Sequence, residues 1–140
     1  MSVKSYDPGQ VAVIVGGKII SGFSEGTMVK ASRNDAAYSL KVGADGEGTR
    51  TRSRNTSGKL EFSLMQSSDS NDYLSSLALA DEASNAGTVA CLIKDGSGRS
   101  VWGALTAWVQ KLPDADLAKE VQTRTWVLET DNITIFIGGN

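Results

Sequence analysis

Histidine is absent from this chain. That removes the side chain most often used for acid–base chemistry near neutral pH, and with it the commonest metal ligand. Cysteine is nearly absent too: Cys91 stands alone, which excludes an intrachain disulfide and a thiolate metal cage. Within Thr-Val-Ala-Cys-Leu-Ile, Cys91 reads as a small buried hydrophobe. No apolar run approaches the ~20 residues a membrane-spanning helix requires, and the start, Met-Ser-Val-Lys-Ser-Tyr-Asp-Pro, has no apolar leader core. The expectation is a protein folded in a reducing cytosol with no membrane partner. The two sequons, at Asn55 and Asn132, are then chance matches. Neither sign of charge dominates, since 14 basic against 16 acidic residues leave a net charge of −2. That balance argues against broad electrostatic binding to nucleic acid or anionic membrane.

Recognisable catalytic chemistry is missing as well. Gly16-Gly17-Lys18 resembles a phosphate loop, but Ala12 stands where the first glycine belongs and Ile19 replaces the required hydroxyl residue. Asp114 and Asp116 lie beside Pro113 in a polar connection, where they read as surface charge rather than a catalytic or metal-binding pair. The serines have no histidine to activate them. The residues thus predict no catalytic, cofactor-binding or metal site, and a protein that is not an enzyme.

What the chain does contain is one domain's worth of strands. Its 140 residues, 40% hydrophobic and 21% charged, suit a single globular domain over 1–140. A β-branched run, 11–15, is broken by Gly16-Gly17 and resumes at Lys18, as in a hairpin. Further strands are expected over 27–32, 38–42, 88–94, 99–110, 121–129 and 133–137. Over 59–65, Leu60, Phe62 and Leu64 alternate with Lys59, Glu61 and Ser63, so one face is apolar. Asp95-Gly96-Ser97-Gly98 is a strong hairpin turn, and a second tight turn is expected at 130–132. One helix is predicted over 70–85, with Ser70 as N-cap, Leu74, Leu77 and Ala78 as its apolar stripe, and Gly87 placed for a left-handed C-cap. The strand 101–109 carries apolar groups on both faces, with Val101, Leu105 and Val109 on one and Trp102 and Trp108 on the other. A strand with one wet face would not need this, so the helix or another subunit must cover it. The apolar C-terminal strand, with Ile133, Ile135 and Ile137 alternating with Thr134 and Phe136, invites pairing with another chain if it lies at a sheet edge.

The run 43–55 is different. It places Asp45, Glu47, Arg50, Arg52 and Arg54 in a polar arm with no large apolar residue to anchor it. Arg50, Arg52 and Arg54 alternate with Thr51 and Ser53, so an extended backbone would put the guanidinium groups on one face. Ordering each backbone residue costs roughly 1–2 kcal/mol, and this arm has no burial with which to offset it. Carrying both signs of charge, it reads as a docking arm between copies of the same protein. Nucleic-acid contact is the rival reading, with Trp102, Trp108 or Trp126 as stacking platforms. Asp45 and Glu47 would repel phosphates, and the tryptophans sit among aliphatic neighbours, as core residues do.

Several segments, in order, resemble the tail tube proteins of contractile-tailed bacteriophages. They are Asp7-Pro8 leading into Val-Ala-Val-Ile-Val-Gly-Gly-Lys-Ile-Ile-Ser-Gly-Phe, Lys41-Val-Gly-Ala-Asp-Gly-Glu with its arginine-rich continuation, and Leu64-Met-Gln-Ser-Ser. Ser70-Asn-Asp-Tyr-Leu-Ser, Asp81-Glu-Ala-Ser-Asn-Ala-Gly, Ala107-Trp108 and Phe136-Ile-Gly-Gly-Asn follow. The resemblance implies a mainly β fold: a β-sandwich or barrel-like domain with one flanking α-helix and a long extended inter-strand loop. It also implies six copies per ring, and rings stacked into a tube, with a sheath protein outside and a tape-measure protein and transiting DNA inside. Type VI secretion tubes share that architecture. By the same analogy the arm 43–55, the N-terminal arm 1–10 with Tyr6 and Asp7, and the C-terminal Ile135, Phe136 and Ile137 are subunit contacts, and no decoration domain is expected. The virion tail, assembled in the host cytoplasm, would be the location. The alternatives are a secretion-system tube protein, and a monomeric β-barrel that binds single-stranded nucleic acid or another ligand.

Overall fold

The computed structural model describes residues 3–139, so residues 1 and 2 of the expected N-terminal arm lie outside the described residues, as does residue 140. After a short 3-10 turn at Pro8–Gln10, the first hairpin pairs β1 (Val11–Val15) with β2 (Lys18–Ile19). Its two-residue connection needs positive φ twice, and Gly16 and Gly17 supply it at 59° and 84°. β3 (Val29–Arg33), β4 (Tyr38–Val42), β5 (Gly48–Arg52) and β6 (Gly58–Met65) precede the helix α1 (Ser70–Ser84). β7 (Val89–Asp95), β8 (Val101–Lys111), β9 (Thr123–Thr130) and β10 (Thr134–Phe136) complete the chain.

All described strands except β4 and β5 join one antiparallel sheet in the order β2-β1-β7-β8-β9-β6-β3, with β10 also paired to β8. The alternation read over 59–65 has its expected result: Leu60, Phe62 and Leu64 are fully buried and face Leu128 and Trp126 across the β6–β9 pair. Val13 and Val15 of β1 belong to the same core cluster as these β6 residues, so the two flanks of the sheet bend toward each other around shared side chains. The segment after β2 closes that side, since Phe23 bridges to Leu64 and the Met65 N–H donates to the Gly22 carbonyl at 2.8 Å. From α1, Leu74 and Ala78 are buried, and Asn71 accepts the Trp126 indole N–H at 2.8 Å. The largest buried aromatic thus has its one polar group satisfied.

Several local expectations change. The helix N-cap is Asp69, without a side-chain cap bond, and Ser70 is buried instead, its Oγ accepting the Ser21 N–H at 3.0 Å. Asn85, not Gly87, takes the left-handed C-cap conformation, with φ 58° and ψ 31°. Gly87 is needed for space, because a Cβ there would stand 2.5 Å from the Leu77 carbonyl oxygen. In β8 the pairing with β7 slips between Cys91↔Ala104 and Val89↔Ala107, inserting one extra residue and inverting the facing beyond it. Trp102 and Val109 therefore pack against the core, whereas Leu105 is exposed. Trp108, directly opposite Glu129, shares the outer face. The expected grouping of the two tryptophans on one face, and of Val109 with Leu105 on the other, fails at that bulge.

The turn at 130–132 does not return the chain along β9. β10 lies beside β8, with Ile135 opposite Trp102, and the tail is tied down by the Gly138 N–H to Ser100 Oγ (3.0 Å) and the Arg99 N–H to the Gly139 carbonyl (3.2 Å). Asp116 is more than surface charge. It holds the guanidinium of Arg124, whose side chain is only 11% exposed, at 3.2 Å, and its carbonyl accepts from the same group at 2.9 Å.

Candidate assembly interface

β4 and β5 form a separate two-stranded ribbon, and the run 43–55 supplies its turn, its second strand and part of its return to the body. At the tip, Asp45 Oδ1 accepts the Glu47 N–H at 3.2 Å and Gly46 takes φ 88°. At the base, the Asn34 N–H bonds the Ser57 carbonyl (3.0 Å), the Asn34 amide bonds Ser57 Oγ (2.9 Å) and the Asn55 amide bonds Asp35 (3.0 Å). Arg33 donates to the Ile133 carbonyl at 3.1 Å. The ribbon is thus stitched to the body at its root and free along its length.

Register decides what the ribbon displays. Tyr38 is opposite Arg52, Leu40 opposite Arg50, and Val42 opposite Gly48. Directly opposed residues share a face, so one side carries Tyr38, Leu40, Val42, Arg50 and Arg52, and the other carries Ser39, Lys41, Thr49 and Thr51. Sequence reading found the arginines and missed the apolar row beside them, because that row belongs to the preceding strand. Every residue of β4 and β5 is exposed, Leu40 by 70%. The Arg50 guanidinium lies 4.3 Å from the Tyr38 ring centroid, a diagonal cation–π contact. The ion pairs among the described residues lie elsewhere, at Lys111–Asp114 and Arg124–Asp116, so the acids and arginines of the arm are not paired with each other. β5 ends at Arg52, which leaves Arg54 in the returning segment.

The other residues singled out from the sequence are held differently. Asp7 caps the 3-10 turn through the Gly9 N–H (2.9 Å), and its backbone N–H meets Ser97 Oγ at 3.0 Å, so its segment is pinned to the β7–β8 turn. Tyr6 covers part of an apolar cleft of about 440 Å³ that Pro8, Met28 and Trp102 also line. Ile135 packs against the core, while Phe136 and Ile137 are exposed. Cys91 is buried, which pushes its thiol up to about 12 and leaves it unreactive near neutral pH.

The fold is that of contractile injection machinery. It matches the tube-terminating cap of the anti-feeding prophage with a TM-score of 0.64 at 15% identity, covering 97% of this chain and 94% of that one. A chain of the sheath/tube terminator of PVC, an extracellular contractile injection system, gives 0.60 at 14% identity over 98% and 100%. A chain of the PVC sheath–tube complex gives 0.59 at 15% identity over 94% and 91%. The sequence narrows the class. Residues 8–138 match the family of the bacteriophage PhiTE tail tube protein. Structural protein ORF10 of Pseudomonas phage KPP10 is 35% identical over 144 residues, spanning 97% of this chain and 83% of that protein. The chain belongs to the PhiTE tail tube family of phage structural proteins.

Proposed function

We propose that this chain is the tail tube subunit of a contractile phage tail. It acts as a structural rather than catalytic part of the virion and assembles with itself in the host cytoplasm into stacked rings of six. The sheath lies outside that tube, and the tape-measure protein and then the DNA occupy its bore. The domain over 1–140 meets its neighbours through the arm 43–55, the N-terminal segment and the exposed Phe136 and Ile137. Family membership supports the tube role, and one structural observation carries the assembly reading: an amphipathic ribbon stands clear of its own core. An isolated two-stranded hairpin is at best marginally stable in water, and its exposed apolar row gains most from a surface outside its own chain.

Replacing Arg50, Arg52 and Arg54 together by alanine tests this. The variant should unfold at the parent's denaturant midpoint, yet form no tubes by negative-stain electron microscopy at concentrations where the parent does. Normal tubes from the triple variant would reject the arm as the joining element.

A further inference from the structure

The body carries a surface that fits the ribbon. On the outer face of the sheet, Ile14 lies opposite Leu92 and Leu92 opposite Gly103. With Leu105 and Asp131 these residues line an open groove of about 490 Å³. The groove is apolar and wet: Leu105 is 90% exposed, although it sits in the middle of a long sheet strand. Its depth comes from Gly103, where an added Cβ would find only Leu92 Cδ1 at 3.8 Å. A space of roughly 150 Å³ holds a benzene-sized group, so this groove has room for the side chains of Leu40 and Val42. At its rim Asp131 is exposed and takes part in neither ion pair found among the described residues.

We infer that this groove receives the arm of a second copy, with Leu40 and Val42 against Leu92 and Leu105, and Arg50 or Arg52 against Asp131. This rests on the reading that the arm joins copies, and adds the surface it joins. Charge complementarity selects the occupant, because the exposed ribbon face pairs an apolar row with two cations, and the groove pairs an apolar floor with a carboxylate. The cleft beneath Tyr6 fits less well. The chain's own Tyr6 and Pro8 already line it, and Oδ1 of its Asp95 already accepts the Ser97 N–H. Within one chain the arm leaves the groove uncovered, since β4 and β5 pair only with each other. Arm and groove are different surfaces, so head-to-tail repeats of their contact generate a ring or filament.

The 140-residue chain carrying Leu105→Asp or Asp131→Arg tests the groove. Both positions are exposed, so the unfolding midpoint should stay at the parent value. The critical concentration for assembly should rise at least about tenfold, as expected for losing a desolvated charge pair or its apolar seat. Combining Asp131→Arg with Arg50→Asp and Arg52→Asp should restore assembly. A second readout is direct: a mixture of Leu40→Cys and Leu105→Cys copies, oxidised, should give a cross-linked dimer on a non-reducing gel that neither copy gives alone. Parent-like assembly by both groove variants, while the triple arginine variant fails, would overturn the groove and leave the tube reading intact. Cross-linking by Leu40→Cys copies alone would overturn it too, by showing that arms meet arms.

Discussion

The sheet body and the β4–β5 arm are written in the same local code and have opposite fates. In β6 and β9 the alternation puts Leu60, Phe62, Leu64, Trp126 and Leu128 on one face, and all five are buried. In β4 the alternation of Tyr38, Leu40 and Val42 is just as regular, and all three are exposed. The body has a second layer, made by its own bent sheet and by Leu74 of α1, whereas the arm has none within its chain. A period of two creates a face; it does not say whether the same chain will cover that face. A face that the chain leaves open is available to a surface outside that chain.

This contrast can be broken or sharpened by measurement. The largest effect belongs to the body: Phe62→Ala should cost about 3–5 kcal/mol, as a fully buried aromatic replaced by a cavity, seen as a lower denaturant midpoint. A loss under about 1 kcal/mol would mean that the core is looser than its burial indicates. The next effect comes from Cys91. Burial disfavours the thiolate and pushes its folded thiol up from an ordinary 9.0 to about 12. The folded state therefore holds its proton where the unfolded state releases it. The resulting stability is whole below about pH 9 and is lost progressively from there to about pH 12. By pH 10 the loss should be about 1.4 kcal/mol, and Cys91→Ala should remove this part of the alkaline decline; an unchanged decline would refute the assignment. The smallest effect belongs to the arm: Leu40→Ser should change the unfolding free energy by no more than about 0.5 kcal/mol while impairing tube growth. A large loss of monomer stability would mean that the arm packs on its own body after all.

Much of this architecture could be read from residues. The β1–β2 hairpin, the β6 alternation, the helix and the β7–β8 turn follow from short-range rules about glycine, side-chain period and turn chemistry. The errors fall where a neighbour distant in sequence decides the outcome. Asn85 replaces Gly87 at the helix end because Gly87 must admit the Leu77 carbonyl, a packing demand with no local signal. Trp108 and Val109 turn to the faces opposite those expected because the inserted residue in β8 shows only in its pairing with β7. Asp116 reads as solvated charge in the sequence because its partner, Arg124, is a strand residue turned toward the inside of the sheet. The arm's arginines were visible and its apolar row was not, because the hairpin register alone puts Leu40 opposite Arg50.

Composition and period were enough to determine a mainly β chain with one helix, a chain with no histidine and a single cysteine, and a charged arm too polar to be core. These properties depend on residue type and on spacing over a few positions, both of which a sequence states outright. Only the tertiary structure decided which faces are covered, where β10 docks, and that arm and groove both stand open on one molecule. Those outcomes depend on register between segments tens of residues apart, where a shift of one residue turns every side chain to the opposite face.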